Sequence, residues 1–254
     1  MSNIAWDAGK YAKSFSYVAG YGEALLGLLA VKPGMTCLDL GCGNGALTRK
    51  LKDAGLDAFG IDGSESQIKA AKAAHPELRF AVDDAASFKL DEPVDAVFSN
   101  AVFHWIDERL QGRMLGCVFD ALKDGGQFVF EMGGKGNNAM IHGALASAFA
   151  RRGLSYSMPF YFPSIGEYAP LLEQAGFKIE AAWLFKRWTP LSGEDGLADW
   201  IRMFVKKPFE GVAGDVRDGI IAEAVEALRP RLLEDGIWHA DYVRLRCRAV
   251  KSKA

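Results

Sequence analysis

The chain has 254 residues, of which half are hydrophobic and 24% are charged, and its formal net charge is -2. A near-neutral chain without a basic run lacks the positive surface that nucleic-acid binding needs, so we expect no nucleic-acid partner. No apolar stretch reaches the length of a membrane span, and the N-terminus has no secretion-signal pattern, so we expect no association with a membrane. The four scattered cysteines form no CxxC pair. We therefore expect a reduced, cytoplasmic globular protein without disulfides or structural zinc.

Residues 1–30 precede the first predicted strand and are rich in aromatic side chains. Tyr11 and Phe15 are four residues apart, a spacing that places both on one face of a helix. The pattern is compatible with a helix packed on the edge of the domain. It is equally compatible with a lid whose aromatic side chains close over a ligand.

Residues 36–45, with the sequence TCLDLGCGNG, predict a buried strand that runs into a glycine loop. A helix follows from Ala46, and Gly55 closes it as a C-terminal cap. Such a loop lets a ligand contact backbone N–H groups directly, at the positive end of a helix. We interpret the segment as a nucleotide-cofactor site.

Strands and helices alternate through the next part of the chain. The sequence predicts strands at 57–62, 78–82, 94–100 and 127–132, and helices at 46–54, 64–75 and 107–123. This alternation indicates an α/β fold, with a doubly wound, mostly parallel sheet that is covered by helices on both faces. Ligands bind at the carboxyl ends of the strands in such sheets.

The pattern changes after residue 133. Helices are predicted at 139–152, 164–176, 192–207 and 212–234, the last interrupted near Pro230, and strands at 177–189 and 239–250. In the final strand Arg244, Arg246 and Arg248 share one face, and apolar side chains share the other. We interpret it as an antiparallel edge strand whose charged face protects the sheet edge.

The glycine loop alone does not identify the cofactor. Its spacing nearly fits the dinucleotide fingerprint, and Asp62 lies at the distance expected of an acid that binds ribose, so NAD and S-adenosylmethionine (SAM) are both compatible. Three features favour SAM: Asp39 lies two residues before the first glycine, the glycines are spaced GxGxG, and polar residues end the third and fourth strands. Those residues are Asp83, Asp84, Ser99 and Asn100.

The segment LDLGCGNG resembles motif I of the class I SAM-dependent methyltransferases. Gly-Ile-Asp62, Asp-Asp84-Ala85 and the run SNAVFHW at 99–105 are similar to further motifs of that superfamily. The N-terminal Trp-Asp-Ala with Tyr11 and Phe15, and the run NAVFHWI from Asn100, are similar to the small-molecule group that includes trans-aconitate and malonyl-carrier-protein methyltransferases. The resemblance covers residues 5–135 well, but the C-terminal half does not clearly carry that group's pattern.

The resemblance implies a Rossmann-like sheet of seven strands with an antiparallel last strand and helical lid elements. It implies one domain over residues 1–254. Within it, residues 1–30 would form an N-terminal helical lid, residues 31–133 the SAM-binding half, and residues 134–254 a substrate-selecting half with helical insertions.

The resemblance also implies a set of cofactor contacts, which are Tyr11, Asp39, Gly41, Gly43, Gly45, Asp62, Gly63, Ser64, Gln67, Asp84, Ala85 and Asn100. Asp39 would orient the loop and the ammonium group of SAM. Asp62 would bind both ribose hydroxyls, and Asp84 the adenine amino group. Gln67 has an alternative role as the capping-box partner of its own helix.

Methyl transfer from a sulfonium is an in-line displacement that needs a closely held nucleophile and the exclusion of water. A carboxylate acceptor needs no general base, whereas an alcohol, an amine or a carbon acid benefits from one. His104 and Glu131 are the candidate catalytic residues. Their alternatives are a histidine bonded to the backbone and a structural hydrogen-bond acceptor. No cluster has metal-ligand spacing, so we expect no metal.

Four residues are candidates for binding the substrate: Phe15, His104, Tyr161 and Arg202. Arg202 and Lys206 are four apart on a predicted helix and could bind a substrate carboxylate, or they could belong to a solvated face. Tyr161 lies in an aromatic run that either lines a pocket or anchors a loop.

The sequence thus predicts a SAM-dependent methyltransferase that acts on a small metabolite, one that bears a carboxylate, as a monomer or a homodimer. Three alternatives remain open at this point. They are an enzyme of the same fold that uses SAM without methylation, for example to cyclise the aminobutyryl chain, an NAD-dependent oxidoreductase, and a SAM-binding subunit without catalysis.

Overall fold

The computed structural model describes residue 22 and residues 24–252. The predicted lid helix with Tyr11 and Phe15 therefore lies outside the described residues. Within them, no helix has both the length and the apolar character needed to cross a bilayer.

The core of the protein is one mixed sheet. Its strands are β1 (Thr36–Leu40), β2 (Asp57–Asp62), β3 (Arg79–Val82), β4 (Val94–Asn100), β5 (Leu122–Gly133), β6 (Phe177–Pro190), β7 (Leu233–Glu234) and β8 (Ile237–Lys251). Seven of them are ordered β3-β2-β1-β4-β5-β8-β6, and the two-residue β7 pairs with β8. The first five strands are parallel, and β8 is antiparallel to both β5 and β6. The predicted doubly wound sheet with an antiparallel last strand is confirmed.

Helices cover both faces of this sheet. They are α1 (Ala46–Asp53), α2 (Glu65–Ala74), α3 (Gln111–Ala121), α4 (Ala139–Ala150), α5 (Ile165–Gln174), α6 (Gly196–Phe204) and α7 (Gly214–Leu232). Helices α3 and α5 bury Met114, Val118 and Leu172 against one face. On the other face Leu51 of α1 packs with the central strands. Because both faces are covered, β1 and β4 are almost continuously buried.

Helices α4, α6 and α7 form a further layer with its own hydrophobic core. Leu145 of α4, Ile201 of α6 and Ile221 of α7 pack together with Trp238 and Tyr242 of β8. Pro230 lies in the last turn of α7 and does not interrupt it. Pro230 removes one backbone hydrogen bond, but α7 ends two residues later, so almost no helix follows that a break could separate.

The prediction that the last strand forms the sheet edge is wrong. Strand β8 lies between β5 and β6, and β6 is the edge. The alternating charges that suggested an exposed face have partners inside the protein instead. Arg246 binds Glu131 of β5, and Arg248 binds Glu180 of β6. An ion-paired face and a solvated face have the same sequence pattern.

Candidate functional site

A cavity of about 750 Å3 opens at the carboxyl ends of four parallel strands. Its walls are the segments that follow those strands: residues 40–43 after β1, 61–67 after β2, 82–85 after β3 and 100–106 after β4. The chain passes from β1 to β2 and β3 on one side, and then to β4 and β5 on the other. The cavity thus lies where the strand order reverses, and its volume suits a nucleotide cofactor.

The glycine loop brings backbone to the cavity wall. Gly41 has a φ of +78°, and a Cβ atom there would lie 2.3 Å from Cγ2 of Val102. Gly43 also lines the cavity, and no atom lies within 4 Å of the place a Cβ would take. Gly45 does not line the cavity. A Cβ there would lie 2.6 Å from the Phe80 ring, so Gly45 is needed for packing rather than for a ligand.

Asp62, at the end of β2, has both carboxylate oxygens held in place. Oδ2 accepts the N–H of Gly43 at 3.0 Å, and Oδ1 accepts the N–H of Ser64 at 2.8 Å. Burial raises the pKa of Asp62, and the two N–H donors oppose that shift. Since each carboxylate oxygen can accept a second hydrogen bond, Asp62 offers two adjacent acceptors to the cavity that it lines.

Asp39 does not reach the cavity. It is 1% exposed, and it accepts a hydrogen bond of 2.6 Å from the hydroxyl of Thr48 in α1. Burial raises the pKa of Asp39 to about 7. The carboxyl group therefore ties α1 to β1, and Asp39 is not among the residues that line the cavity; its contact with a cofactor ammonium stays a prediction.

The far end of the cavity carries an acceptor without a partner. Gln67 is buried and lines the cavity, and its Oε1 has no hydrogen-bond partner in the described part of the chain. A complete capping box would direct this oxygen to the N–H of Ser64, but that N–H donates to Asp62. Asp84 lies nearby on the wall, and the N–H of Ala86 lowers its pKa, so it remains an ionised acceptor. Gly63, Ser64, Ala85 and Asn100 also line the cavity.

At the other end the cavity adjoins a second, smaller one of about 40 Å3, which we call the inner chamber. Ala101 and Trp105 line both cavities. The remaining aromatic wall of the chamber is Phe160, Phe162, Trp200, Phe204 and Tyr242. Its other polar groups are His104, Asn137, Asn138 and Arg244.

Ala101 forms the junction between the two cavities and has an unusual backbone. Its φ is +62°, a left-handed conformation that is unfavourable for alanine. Two hydrogen bonds hold it there: its N–H donates to the carbonyl of Glu131 at 2.7 Å, and its carbonyl accepts the indole N–H of Trp105 at 3.1 Å. The junction is thus fixed by strands β4 and β5 together.

Comparisons with known proteins agree with this geometry. Residues 37–126 match the family described as a methyltransferase domain. Over 257 residues the chain is 31% identical to an uncharacterized methyltransferase of Schizosaccharomyces pombe, and the match covers 95% of this chain and 96% of that protein. The chain belongs to the class I SAM-dependent methyltransferases. This methyltransferase is also 27% identical to a trans-aconitate 2-methyltransferase of Rhizobium rhizogenes, a match that covers 98% of this chain and 100% of the relative.

A solved structure shows the same fold. The S-adenosylmethionine-dependent methyltransferase of Mesorhizobium loti superposes with a TM-score of 0.54 at 20% identity, covering 91% of this chain and 97% of that one. Because the chain belongs to the class I SAM-dependent methyltransferases, SAM is its cofactor, and the cavity fits it. The backbone at Gly41 permits close approach, Asp62 presents paired acceptors for a diol, and Gln67 leaves a buried oxygen for a donor. When bound, SAM supplies a methyl group activated by a positively charged sulfur.

His104 of the methyltransferase has no nitrogen available as a base. Its Nδ1 accepts the N–H of Gly133 at 3.2 Å, so the neutral ring carries its hydrogen on Nε2. Burial lowers the pKa of His104 well below its usual value, and the charge of Arg244 lowers it further. His104 is consequently a neutral hydrogen-bond donor, which agrees with the alternative of a backbone-bonded histidine.

Glu131 lines neither cavity. It is 2% exposed, and its carboxylate accepts two hydrogen bonds from Arg187, at 2.5 and 2.8 Å, and two from Arg246, at 2.9 and 2.7 Å. These bonds join β5, β6 and β8. The expectation that Glu131 is catalytic is corrected, because all the recorded contacts of its carboxylate are structural.

Two predicted substrate residues lie elsewhere. Phe160 and Phe162 stack at 5.2 Å and face the inner chamber, whereas Tyr161 between them packs beside Tyr168 on the other side of the loop. Arg202 is half-exposed, pairs with Asp199 at 3.8 Å and lines neither cavity. The sequence pointed to the right segments, but alternation within each segment directs other side chains into the chamber.

No pattern in the sequence predicts that the other polar residues of the chamber belong to the site. Asn137 and Asn138 lie between the predicted strand at 127–132 and the predicted helix at 139–152, and Arg244 lies on the predicted charged face of the last strand. His142 is 3% exposed, behind the aromatic wall. Among the described residues, no group of three or more histidines, cysteines or acids is placed to hold a metal ion.

Proposed function

We propose that the enzyme transfers the methyl group of SAM, in line, to a carboxylate oxygen of a small metabolite. The observation that carries the proposal is the hydrogen bonding of His104, which leaves it without a nitrogen that could act as a base. Among the described residues that line the inner chamber it is the one histidine; its Nδ1 already accepts the N–H of Gly133 and its Nε2 carries the ring hydrogen, so it takes no proton from an acceptor. A carboxylate is a nucleophile without losing a proton, so it suits a site without a base.

Two further observations support this acceptor. The space beyond the SAM cavity is small, which favours a metabolite over a macromolecule. The relative from Rhizobium rhizogenes is named for trans-aconitate, which is a polycarboxylate, and its match runs over its entire length.

The proposed roles of the cavity residues follow their positions. Asp62 accepts both ribose hydroxyls, and Gln67 and Asp84 accept the adenine amino group while the Ala85 N–H meets a ring nitrogen. Gly41 and Gly43 approach the methionine part, and Asn100 lies near the sulfur. The apolar side chains of Val102 and Ile106 line the same cavity and exclude water from it.

We also propose that residues 1–254 form one domain, with 31–133 binding SAM and 134–254 selecting the acceptor. Residues 1–30, with Tyr11 and Phe15, would close over the site. The enzyme would act in the cytoplasm as a monomer or homodimer without a nucleic-acid partner.

Product analysis tests the proposal. The purified enzyme is incubated with SAM and either trans-aconitate, fumarate, glutarate or benzoate, or the amides of these acids. We expect S-adenosylhomocysteine to form with one or more of the acids and with none of the amides. Methylthioadenosine as the product would instead indicate cyclisation of the aminobutyryl chain, and calorimetric binding of NAD without binding of SAM would contradict the proposal.

A further inference from the structure

We propose that the inner chamber anchors a second carboxylate of the acceptor, one that is not methylated, and that Arg244 is the residue that binds it. The proposal rests on the proposed function for the nature of the acceptor. It assigns the chamber as a subsite separate from the SAM cavity.

Arg244 is a buried cation with unused hydrogen-bonding capacity. Arg244 is 6% exposed, and its guanidinium lies 4.3 Å from the centre of the Tyr242 ring. Its Nε has no hydrogen-bond partner in the described part of the chain. Glu131 is its ion-pair partner, with Oε1 3.9 Å from that Nε, which is beyond hydrogen-bond distance. A buried guanidinium in this state favours an incoming oxyanion.

Glu131 does not accept a hydrogen bond from Arg244, because its oxygens already accept hydrogen bonds from other arginines. Arg187 and Arg246 together donate four hydrogen bonds to this one carboxylate. Those bonds hold Glu131 in place. Arg244, which lines the chamber, is therefore available to a group that enters it. The donors of a guanidinium are charged and lie in one plane, so Arg244 suits a carboxylate better than it suits a neutral group.

The neighbouring polar groups of the chamber are donors as well. His104 donates from Nε2, because its Nδ1 accepts the N–H of Gly133. Asn137 uses its Oδ1 to accept the N–H of Val243 at 2.9 Å, which leaves its amide nitrogen to donate. Oδ1 of Asn138 is buried without a partner, and rotation of that amide group exchanges the acceptor for a donor. No acid lines the described walls of the chamber.

The size of the chamber restricts the group that enters. A volume of about 40 Å3 has room for about two or three waters or one carboxylate. Phe160 and Phe162, which stack on each other, belong to its aromatic wall. The reacting carboxylate then lies outside the chamber, at the junction formed by Ala101 and Trp105, which line both cavities. The acceptor then carries at least two acidic groups.

Binding of a small anion tests the subsite without requiring turnover. Acetate, acetamide and inorganic phosphate are titrated into the enzyme saturated with S-adenosylhomocysteine, and the Arg244 Nε–H signal is followed by NMR. That signal is assigned by its loss in Arg244→Gln. We expect a saturable shift with acetate and none with acetamide. No saturable shift with acetate, or tighter binding of phosphate than of acetate, would overturn the proposal.

A matched pair of variants adds an affinity measurement. Arg248 lies on the same strand and face as Arg244 but is ion-paired with Glu180. We expect Arg244→Gln to weaken acetate binding about tenfold or more, because a charged donor is lost, and Arg248→Gln to leave it unchanged. Equal effects of the two variants would overturn the proposal. If Arg244→Gln does not fold, Arg244→Lys, which also lacks the Nε–H but keeps the charge, supplies the assignment, and the wild-type titration then decides.

The outcomes separate this inference from the proposed function. Saturable acetate binding without methylation of any acid would support the subsite and contradict the proposed function. Methylation of monocarboxylic and dicarboxylic acids with the same KM, and with no acetate response at Arg244, would contradict the subsite alone.

Discussion

We expect SAM binding to depend most on Asp62, because this one side chain organises the loop and also offers two acceptors to the cavity. We expect Asp62→Ala to raise the Kd for SAM by about a hundredfold or more, since each hydrogen bond to a charged group contributes about 1.5–3 kcal/mol. Calorimetric titration measures the effect, with circular dichroism to check the fold. Asp57→Asn, at the exposed start of the same strand, is the control and should bind SAM normally. Unchanged affinity in Asp62→Ala would show that ribose binds elsewhere.

His142 gives a prediction for pH dependence. Its Nδ1 contacts the hydroxyl of Tyr156 at 2.6 Å, its Nε2 is buried without a partner in the described residues, and burial lowers its pKa to about 4. In the unfolded chain the imidazole has its usual pKa of about 6.5. Between these values the unfolded chain binds a proton that the folded protein excludes, so this group lowers stability as the pH falls.

The comparison of wild type with His142→Phe isolates that effect. Relative to the variant, the wild type should lose about 1.4 kcal/mol of unfolding free energy per pH unit at most, from pH about 6.5 down to about 4. Urea unfolding at several pH values measures the difference, and other titrating groups such as Asp39 cancel in it. A difference that does not vary with pH would mean that the pKa of His142 is the same in the folded and the unfolded protein.

At the scale of elements, Glu131 joins three strands. We expect Glu131→Gln to lower the unfolding free energy by about 3–5 kcal/mol, because it leaves buried arginines without their counter-ion. Glu180→Gln removes an ion pair that is partly exposed to solvent and should lower it by less than about 1 kcal/mol. Urea unfolding of both variants provides the measurement. If Glu131→Gln is as stable as the wild type but its kcat is much lower, Glu131 takes part in the reaction instead.

The glycine loop gives a second prediction at this scale. Alanine at position 41 would meet Val102 at 2.3 Å, whereas alanine at position 43 meets open space, and both positions have positive φ. Each substitution should lower stability by about 1 kcal/mol from backbone strain. Gly41→Ala should lower the Tm further because of the clash. If the two variants have the same Tm, Val102 moves aside without penalty.

The elements show which features a sequence can specify. Strands β1 to β5 and the glycine loop were predictable because periodicity, glycines and helix caps are local signals. The interior place of β8 was not, since charges that meet a buried acid produce the same alternation as charges that meet water. For the same reason Arg244 could not be distinguished from Arg248. The choice of Phe160 and Phe162 over Tyr161 depends on how the loop lies against α4 and α6, which is a tertiary property.

At the scale of the whole molecule, the sheet and the helical layer have separate tasks. The carboxyl ends of β1 to β4 form the SAM cavity, and the layer of α4, α6 and α7 closes the inner chamber against β8. Ala101 and Trp105 connect the two. The sheet half is the part that matches the methyltransferase domain, over residues 37–126. We therefore expect the acceptor to be selected by residues 134–254, the half of the chain with fewer recognisable motifs.

The most direct test of the account is to follow the transferred methyl group itself. The enzyme is supplied with SAM labelled with carbon-13 in its methyl group, together with the acids above, and the label is observed by NMR. We predict that it moves from the sulfonium to the oxygen of a methyl ester, with one equivalent of S-adenosylhomocysteine. A label that stays on sulfur as methylthioadenosine, or that appears on nitrogen or carbon, would contradict the claim that the enzyme methylates a small carboxylate.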